Sequence, residues 1–223
     1  MTRLLTVLGA VALIGLGGFA LPPRSGGDLS AHPLPGAAHA EEKAEIDISS
    51  VIEMVQGAED APVEVIEYAS YTCPHCANFH AGPYKKLKAE YIDTGKVKFV
   101  FREVYFDRYG LWASMIARCE PAKFFGVTDL VFKGQAEWSR AGGPSEIVDG
   151  LRKIGRLAGI DNDQLESCLR DADTAQTLVA WYQQNMEQHP IEGTPTFVVN
   201  GEIVENQSYE DFRKVIEAEL AKE

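Results

Sequence analysis

From Val63 to Tyr68 apolar and polar residues nearly alternate in the run Val63-Glu64-Val65-Ile66-Glu67-Tyr68, and the β-branched content fits a strand. A short first strand is expected ahead of it, near Ile52 to Val55. Beyond Cys73 the period lengthens. Phe79, Tyr84, Leu87 and Tyr91 recur near helical spacing, which predicts a helix from Pro74 to about Asp93 that kinks at Pro83. Gly95 closes it, and Val97-Lys98-Phe99-Val100-Phe101-Arg102 predicts the next strand. Strand, helix, strand is a βαβ unit, whose crossover should be right-handed. From about Gly110 to Glu187 the period stays helical, with breaks at Pro121, Gly142-Gly143-Pro144 and Gly159-Ile160-Asp161, so several helices are expected. After Pro190 strand character returns in Thr196-Phe197-Val198-Val199-Asn200 and, past Gly201, in Ile203-Val204, a hairpin turned by Asn-Gly. Tyr209, Phe212, Val215, Ile216 and Leu220 predict a closing amphipathic helix.

The fold class read from this order is α/β, a central mixed sheet flanked by helices with an inserted all-helical subdomain. Its boundaries are a leading segment over 1–40 and a linker with the short first strand over 41–60. A first α/β part follows over 61–108, then the helical insertion over 109–189 and a second α/β part over 190–223. The leading segment differs in kind. Arg3 precedes an apolar stretch from Leu4 to Leu21, and a Pro/Gly/Ser-rich run ends in Ala38-His39-Ala40, the layout of a secretory signal with an A-x-A cleavage site. The competing reading is an anchor retained over 4–21, although Gly15, Gly17 and Gly18 dilute the apolar run. Either reading places the rest of the chain outside the cytoplasm.

Composition changes the picture in two respects. The 223 residues are 45% hydrophobic, enough for a sizeable core. The formal charge is −12, and it becomes −13 once 1–40 is removed, so phosphate backbones and anionic lipid heads are disfavoured as partners. The four cysteines, Cys73, Cys76, Cys119 and Cys168, are an even count that suits an oxidising compartment, and they permit three pairings.

The chemistry concentrates in Cys73-Pro74-His75-Cys76. A cysteine just ahead of a helix faces unpaired backbone N–H groups and the positive end of the helix dipole, so its thiolate is stabilised. Cys73 holds that position and is expected to attack, while Cys76, inside the first turn, is expected to resolve. Pro74 would open the helix, and His75 would stabilise the Cys73 thiolate further. A CxxC is also half a zinc site, and His80 stands on the same helical side as Cys76. No second CxxC completes such a site, so redox chemistry without metal or cofactor is the expectation, with His80 as a surface or helix-packing residue. Glu67, in an otherwise apolar strand six residues before Cys73, is expected to be a buried carboxyl that takes the Cys76 proton. Pro195, after Thr194 and at the head of a strand, reads in isolation as an ordinary trans proline.

Taken together, Glu67 through Cys76, the helical insertion, and Gly193-Thr194-Pro195-Thr196-Phe197 before a hairpin and a last helix resemble the DsbA family of exported thiol:disulfide oxidoreductases. The resemblance covers residues 50 to 220. It implies a thioredoxin-like fold, Cys73 and Cys76 as the redox pair, Glu67 as the buried acid, and a cis Pro195 facing the disulfide. It further implies that Thr194 offers its backbone to an extended substrate segment. Implied partners are reduced or unfolded exported proteins and a quinone-linked membrane protein, similar to DsbB, that reoxidises the pair. The location implied is the periplasm, with the chain acting as a monomer. Two features depart from the pattern. Threonine before the cis-proline is common among relatives that reduce or isomerise. The second departure is the extra pair in the insertion, Cys119 and Cys168, for which a structural disulfide with 48 residues inside its loop is expected. A tuning role for that bridge is the alternative. The functional expectation is thus a dithiol oxidase, with an isomerase or reductase as the alternative within this chemistry and a metal-binding or chaperone-like exported protein as the alternative outside it.

Overall fold

Strand β2 (Val63–Ala69) is buried along nearly its whole length because it has a neighbour on each side, β3 (Val97–Glu103) in parallel and β4 (Thr196–Val199) antiparallel. The sheet is completed by β1 (Met54–Gln56), antiparallel to β3, and β5 (Glu202–Glu205), antiparallel to β4, in the order β1-β3-β2-β4-β5. These elements belong to a computed structural model that describes residues 46–222. The signal expected over 1–40 and the alternative anchor over 4–21 lie outside the described residues.

The pleat sorts the side chains of β2 between two cores. Val65 and Ala69 join Phe99, Phe101, Phe197 and Val199 on one face, while Ile66 and Tyr68 join Val100, Val104 and Val198 on the other. Glu67 has Phe101 and Phe197 as its two register partners, so it shares the first face with them and is wholly buried. At the β4–β5 turn Asn200 (φ 46°) and Gly201 (φ 88°) both take left-handed backbone, the geometry of a two-residue hairpin. Asn200 also ties the hairpin to β2, accepting from the Glu64 N–H at 2.8 Å through Oδ1 and donating its own N–H to the Glu64 carbonyl at 3.0 Å.

Two expectations change. The first strand begins at Met54, not Ile52. Met54 is the residue that packs into the core, whereas Ile52 is exposed and its carbonyl accepts from the Arg118 guanidinium at 2.8 Å. The single kinked helix is three pieces: α1 (Pro74–Ala81), α2 (Pro83–Leu87) and a π-helical turn over Lys88–Ile92. The break falls at Gly82, because Pro83 has no N–H to continue the ladder and its ring disfavours helical backbone in the residue before it.

The insertion is built from α3 (Arg108–Arg118), α4 (Phe124–Lys133), α5 (Gln135–Trp138), α6 (Pro144–Leu157), α7 (Asn162–Arg170) and α8 (Ala172–Gln188), and the chain closes with α9 (Tyr209–Leu220). Asp107, Asp161, Asp171 and Ser208 cap α3, α7, α8 and α9 by accepting from backbone N–H groups of their first turns. A disulfide between Cys119 and Cys168 joins the end of α3 to α7, with 5.7 Å between the Cα atoms. Beside it Arg118 donates to the buried Glu103 carboxylate at 2.6 and 2.7 Å, which fastens α3 to the end of β3.

The bridge closes a long loop, its cysteines 49 positions apart in sequence. Urea unfolding of a Cys119→Ala/Cys168→Ala protein should show a loss of up to about 4 kcal/mol relative to the parent, the scale of chain entropy released to the unfolded state. A loss well under 1 kcal/mol would mean that the bridge does not constrain the unfolded chain in this way.

Candidate active site

Cys73 caps α1 from an extended backbone (φ −83°, ψ 119°), so its sulfur sits where a capping side chain would accept from the first-turn N–H groups. Pro74 occupies the first turn, where no N–H is needed. Two elements hold the approach to the helix. Thr72 donates its hydroxyl to Asp107 Oδ2 at 2.8 Å, and the buried Gln135 side chain of α5 donates to the carbonyls of Tyr71 (2.8 Å) and Cys73 (2.9 Å). Cys73 is half-buried and Cys76 is fully buried, and both are free thiols. Pro74 and His75 between them are exposed.

The opposite wall is the loop entering β4. Its Thr194–Pro195 peptide is cis, and the Cys73 thiol donates to the Thr194 carbonyl at 3.2 Å across 121 positions of sequence. Tyr68 pairs with Thr196 in the β2–β4 register, which brings the loop to this height. The start of the loop is anchored on the other sheet face, where the Tyr68 hydroxyl and His189 Nδ1 lie 2.8 Å apart. Between Pro190 and Asn206 the surface forms a cleft of about 570 Å³ that includes Thr194, Pro195 and Ile203.

The two sulfurs are electrostatically unlike. Cys73 is lowered from the ordinary value of 9.0 to about 5. The largest cause is the Cys76 thiol, which hydrogen-bonds the Cys73 thiolate; partial burial opposes it, and the Thr194 side chain and the N–H groups of Cys76 and His75 add to it. The Thr194 hydroxyl is buried, and among the described residues it has no other hydrogen-bond partner to hold it away from sulfur. Cys76 is pushed far up, first by burial, then by its hydrogen bond to Cys73 and by the charge of Glu67. The part of His75 in this arrangement is its backbone N–H, and its imidazole faces solvent.

Beneath the pair, Glu67 Oε2 and His80 Nε2 are 2.8 Å apart, while Glu67 Oε1 is sealed and has no partner among the described residues. His80 is therefore no surface residue. It is 3% exposed and stacks on Phe132 at 4.4 Å, because α1 turns this residue, four after Cys76, inward toward the sheet. That spacing was its one sequence signal. Gln135 gave none, since nothing in a helix of the insertion marks which residue will reach the Cys73 carbonyl. Among the described residues no group of three His, Cys, Asp or Glu side chains converges as an ion would need.

The family model described as Thioredoxin matches residues 49–218. A proposed protein-disulfide oxidoreductase of Rickettsia bellii is 36% identical over 167 residues, which cover 74% of this chain and 63% of that one. The chain spans 60 to 63% of the length of the Rickettsia relatives it matches. Disulfide bond formation protein D of Bacillus subtilis is 30% identical over 176 residues, covering 74% of this chain and 76% of that one. Among solved structures, alpha-DsbA1 of Wolbachia pipientis superposes with a TM-score of 0.70 at 28% identity over 76% of this chain and 92% of that one. Oxidised BdbD of Bacillus subtilis gives 0.65 at 26% over 76% and 93%.

Titration of the reduced protein by ultraviolet thiolate absorbance should give a midpoint near 5 for Cys73, moved up toward 9 in Cys76→Ala, which removes the largest stabilising contact. Since the folded value lies below the unfolded one, the thiolate's contribution to the reduced protein's stability is complete above about pH 9 and is lost as pH falls through about 5. A parent midpoint of about 8 or higher, the range of an unperturbed thiol, would contradict the geometry.

Proposed function

The chain belongs to the thioredoxin family, among its DsbA-like members, and from that premise we propose that it oxidises dithiols of exported proteins through Cys73 and Cys76. The observation that carries the reading is the asymmetry of the two sulfurs, with Cys73 held as a thiolate near neutral pH and Cys76 held as a thiol. A dithiol whose outer sulfur is a low-energy thiolate favours its reduced form, so its disulfide is a strong oxidant and Cys73 a good leaving group.

In the forward cycle a substrate thiolate attacks Cys73 of the Cys73–Cys76 disulfide. The substrate–Cys73 bond forms, the Cys73–Cys76 bond breaks, and its electron pair leaves on Cys76, which takes up a proton. A second substrate thiolate then attacks the substrate sulfur of the mixed disulfide, and Cys73 departs as the stabilised thiolate. The substrate leaves oxidised and the enzyme reduced by two electrons. Glu67 supplies and removes the Cys76 proton, a role supported by its burial and by the reach of its charge to that thiol. In the dithiol the Thr194 carbonyl accepts from Cys73, and once Cys73 carries no proton that carbonyl is free to pair with an extended substrate strand beside Pro195.

The cleft beside Pro195 fits a peptide lying across the cis-proline loop, with Ile203 offering apolar contact. The bridge at Cys119 and Cys168 suits an oxidising compartment, and the signal layout over 1–40 suits export to the periplasm. Reoxidation is assigned to a quinone-linked membrane partner, as the DsbA-like resemblance implies; among the described residues no helix is long and apolar enough to cross a membrane.

Equilibration of the Cys73/Cys76 pair with a glutathione buffer tests the direction of electron flow. The expected potential is no more reducing than about −180 mV, with rapid oxidation of a reduced test protein and weak insulin reduction. A value near the about −270 mV of thioredoxin would overturn the oxidase reading in favour of a reductase.

A further inference from the structure

The proton assigned to Glu67 needs a way out of the core. Glu67 is fully buried on the central strand, and a substrate bound across Cys73 and Pro195 would cover the catalytic face. One side chain leads elsewhere. His80 meets Glu67 Oε2 through Nε2, and its ring is clamped between Phe132 of α4 (centroids 4.4 Å apart) and Tyr84 of α2 (4.6 Å). Among the described residues its Nδ1 makes no hydrogen bond, and the residue, although only 3% exposed, reaches the wall of a second cleft. His80 lines a cleft of about 310 Å³ between α1, α2 and α4, whose charged walls are Lys85, Asp129 and Lys133. Cys73, Thr194 and Pro195 take no part in that cleft. The titratable and charged groups around the ring and its cleft are Glu67 from β2, Tyr84 and Lys85 from α2, and Asp129 and Lys133 from α4.

We propose that His80 connects Glu67 to water in this second cleft, so that protons reach and leave Cys76 from behind the disulfide while substrate occupies its front. The inference rests on the oxidoreductase reading of the same pair and assigns His80 a positioning and proton-carrying role that its sequence position does not announce. When the enzyme is reoxidised through a mixed disulfide on Cys73, the Cys76 thiol gives up its proton to the Glu67 carboxylate, whose charge reaches that thiol. Its sulfur attacks Cys73, the Cys73–Cys76 bond forms, and the bond from Cys73 to the partner breaks with the electron pair leaving on the partner's sulfur. The Glu67 carboxylate has become a carboxylic acid, and the His80 imidazolium releases a proton from Nδ1 to the cleft and becomes neutral. One proton enters the pair as one leaves it, the Nε2–H to Oε2 hydrogen bond persists, and the pair stays neutral in total, which avoids leaving a lone charge in the core. Substrate oxidation runs the same transfers backwards.

The step can be watched by itself. Reduced protein is converted to a mixed disulfide of Cys73 with thionitrobenzoate, and release of the coloured thiol reports attack by Cys76. In His80→Ala, release should slow by about tenfold or more at neutral pH, and added imidazole, small enough for the cleft, should restore much of the rate. His80→Asn keeps a donor toward Glu67 without a ring that can take up and lose a proton, and it should also be slow while unfolding in urea like the parent. Thiolate absorbance of Cys73 should be unchanged in both. Release at the parent rate in either folded variant, or slow release in His80→Ala that imidazole leaves untouched, overturns the proposal. The glutathione equilibrium judges the oxidase reading separately, because thiol release reports the His80 route whichever direction the enzyme runs.

Discussion

Tyr68 stands opposite Thr196 in the antiparallel pairing of β2 with β4, and on that register the chemistry depends. It brings the cis Thr194–Pro195 peptide to the end of the strand from which the Cys73 loop emerges, so groups 121 positions apart come within 3.2 Å. A slip of one residue would invert every side chain of β4 and move Phe197 out of the core that α1 covers. The Asn200–Gly201 turn guards against that slip by fixing β5 on β4 and binding Glu64 of β2 from the other side.

The sheet buries two carboxylates, and they are handled in opposite ways. Glu103 accepts from Ser114 at 2.8 Å and twice from Arg118, so it is fully paired and its role is architectural. Glu67 has one partner and, among the described residues, one sealed oxygen without any. A buried carboxyl with an oxygen left over is the arrangement that the proposed proton transfer to and from Cys76 would use. Thr194 is similar: among the described residues its buried hydroxyl has no acceptor, which leaves it available to sulfur.

The helical insertion is part of the site as much as a cover for the sheet. Gln135 holds the carbonyls on either side of Thr72, Thr128 meets the Tyr71 hydroxyl at 2.8 Å, and Phe132 stacks on His80. Three residues of α4 and α5 thus position, in turn, the loop before Cys73, the strand end that feeds it and the partner of Glu67. At the other end of the insertion the Cys119–Cys168 bridge joins α3 to α7, and the Arg118–Glu103 pair ties α3 to the end of β3.

Much of this was legible in the chain because it depends on local physics. Period 2 in Val63 to Tyr68, period 3.6 after Pro74, Asn-Gly between two apolar runs and a cysteine one residue before a helix-opening proline each define a backbone state with little help from distant residues. The sequence therefore determined the order of elements, the polarity of the CxxC and the suspicion attached to Glu67. Tertiary structure decided what depends on pairing across long separations. Of the surface or helix-packing roles expected for His80 it chose packing, against Phe132 of α4, and added a contact with Glu67 because only the register of β2 puts a carboxylate where α1 points its inner face. It added the Cys76 thiol and the Thr194 side chain to the backbone N–H groups expected to stabilise Cys73, contacts that no local spacing marks. It also selected Gln135 out of an insertion where many side chains had equal claim. Period and propensity describe how a segment lies, but which buried polar atoms find partners is settled only when the sheet and the helices close on one another.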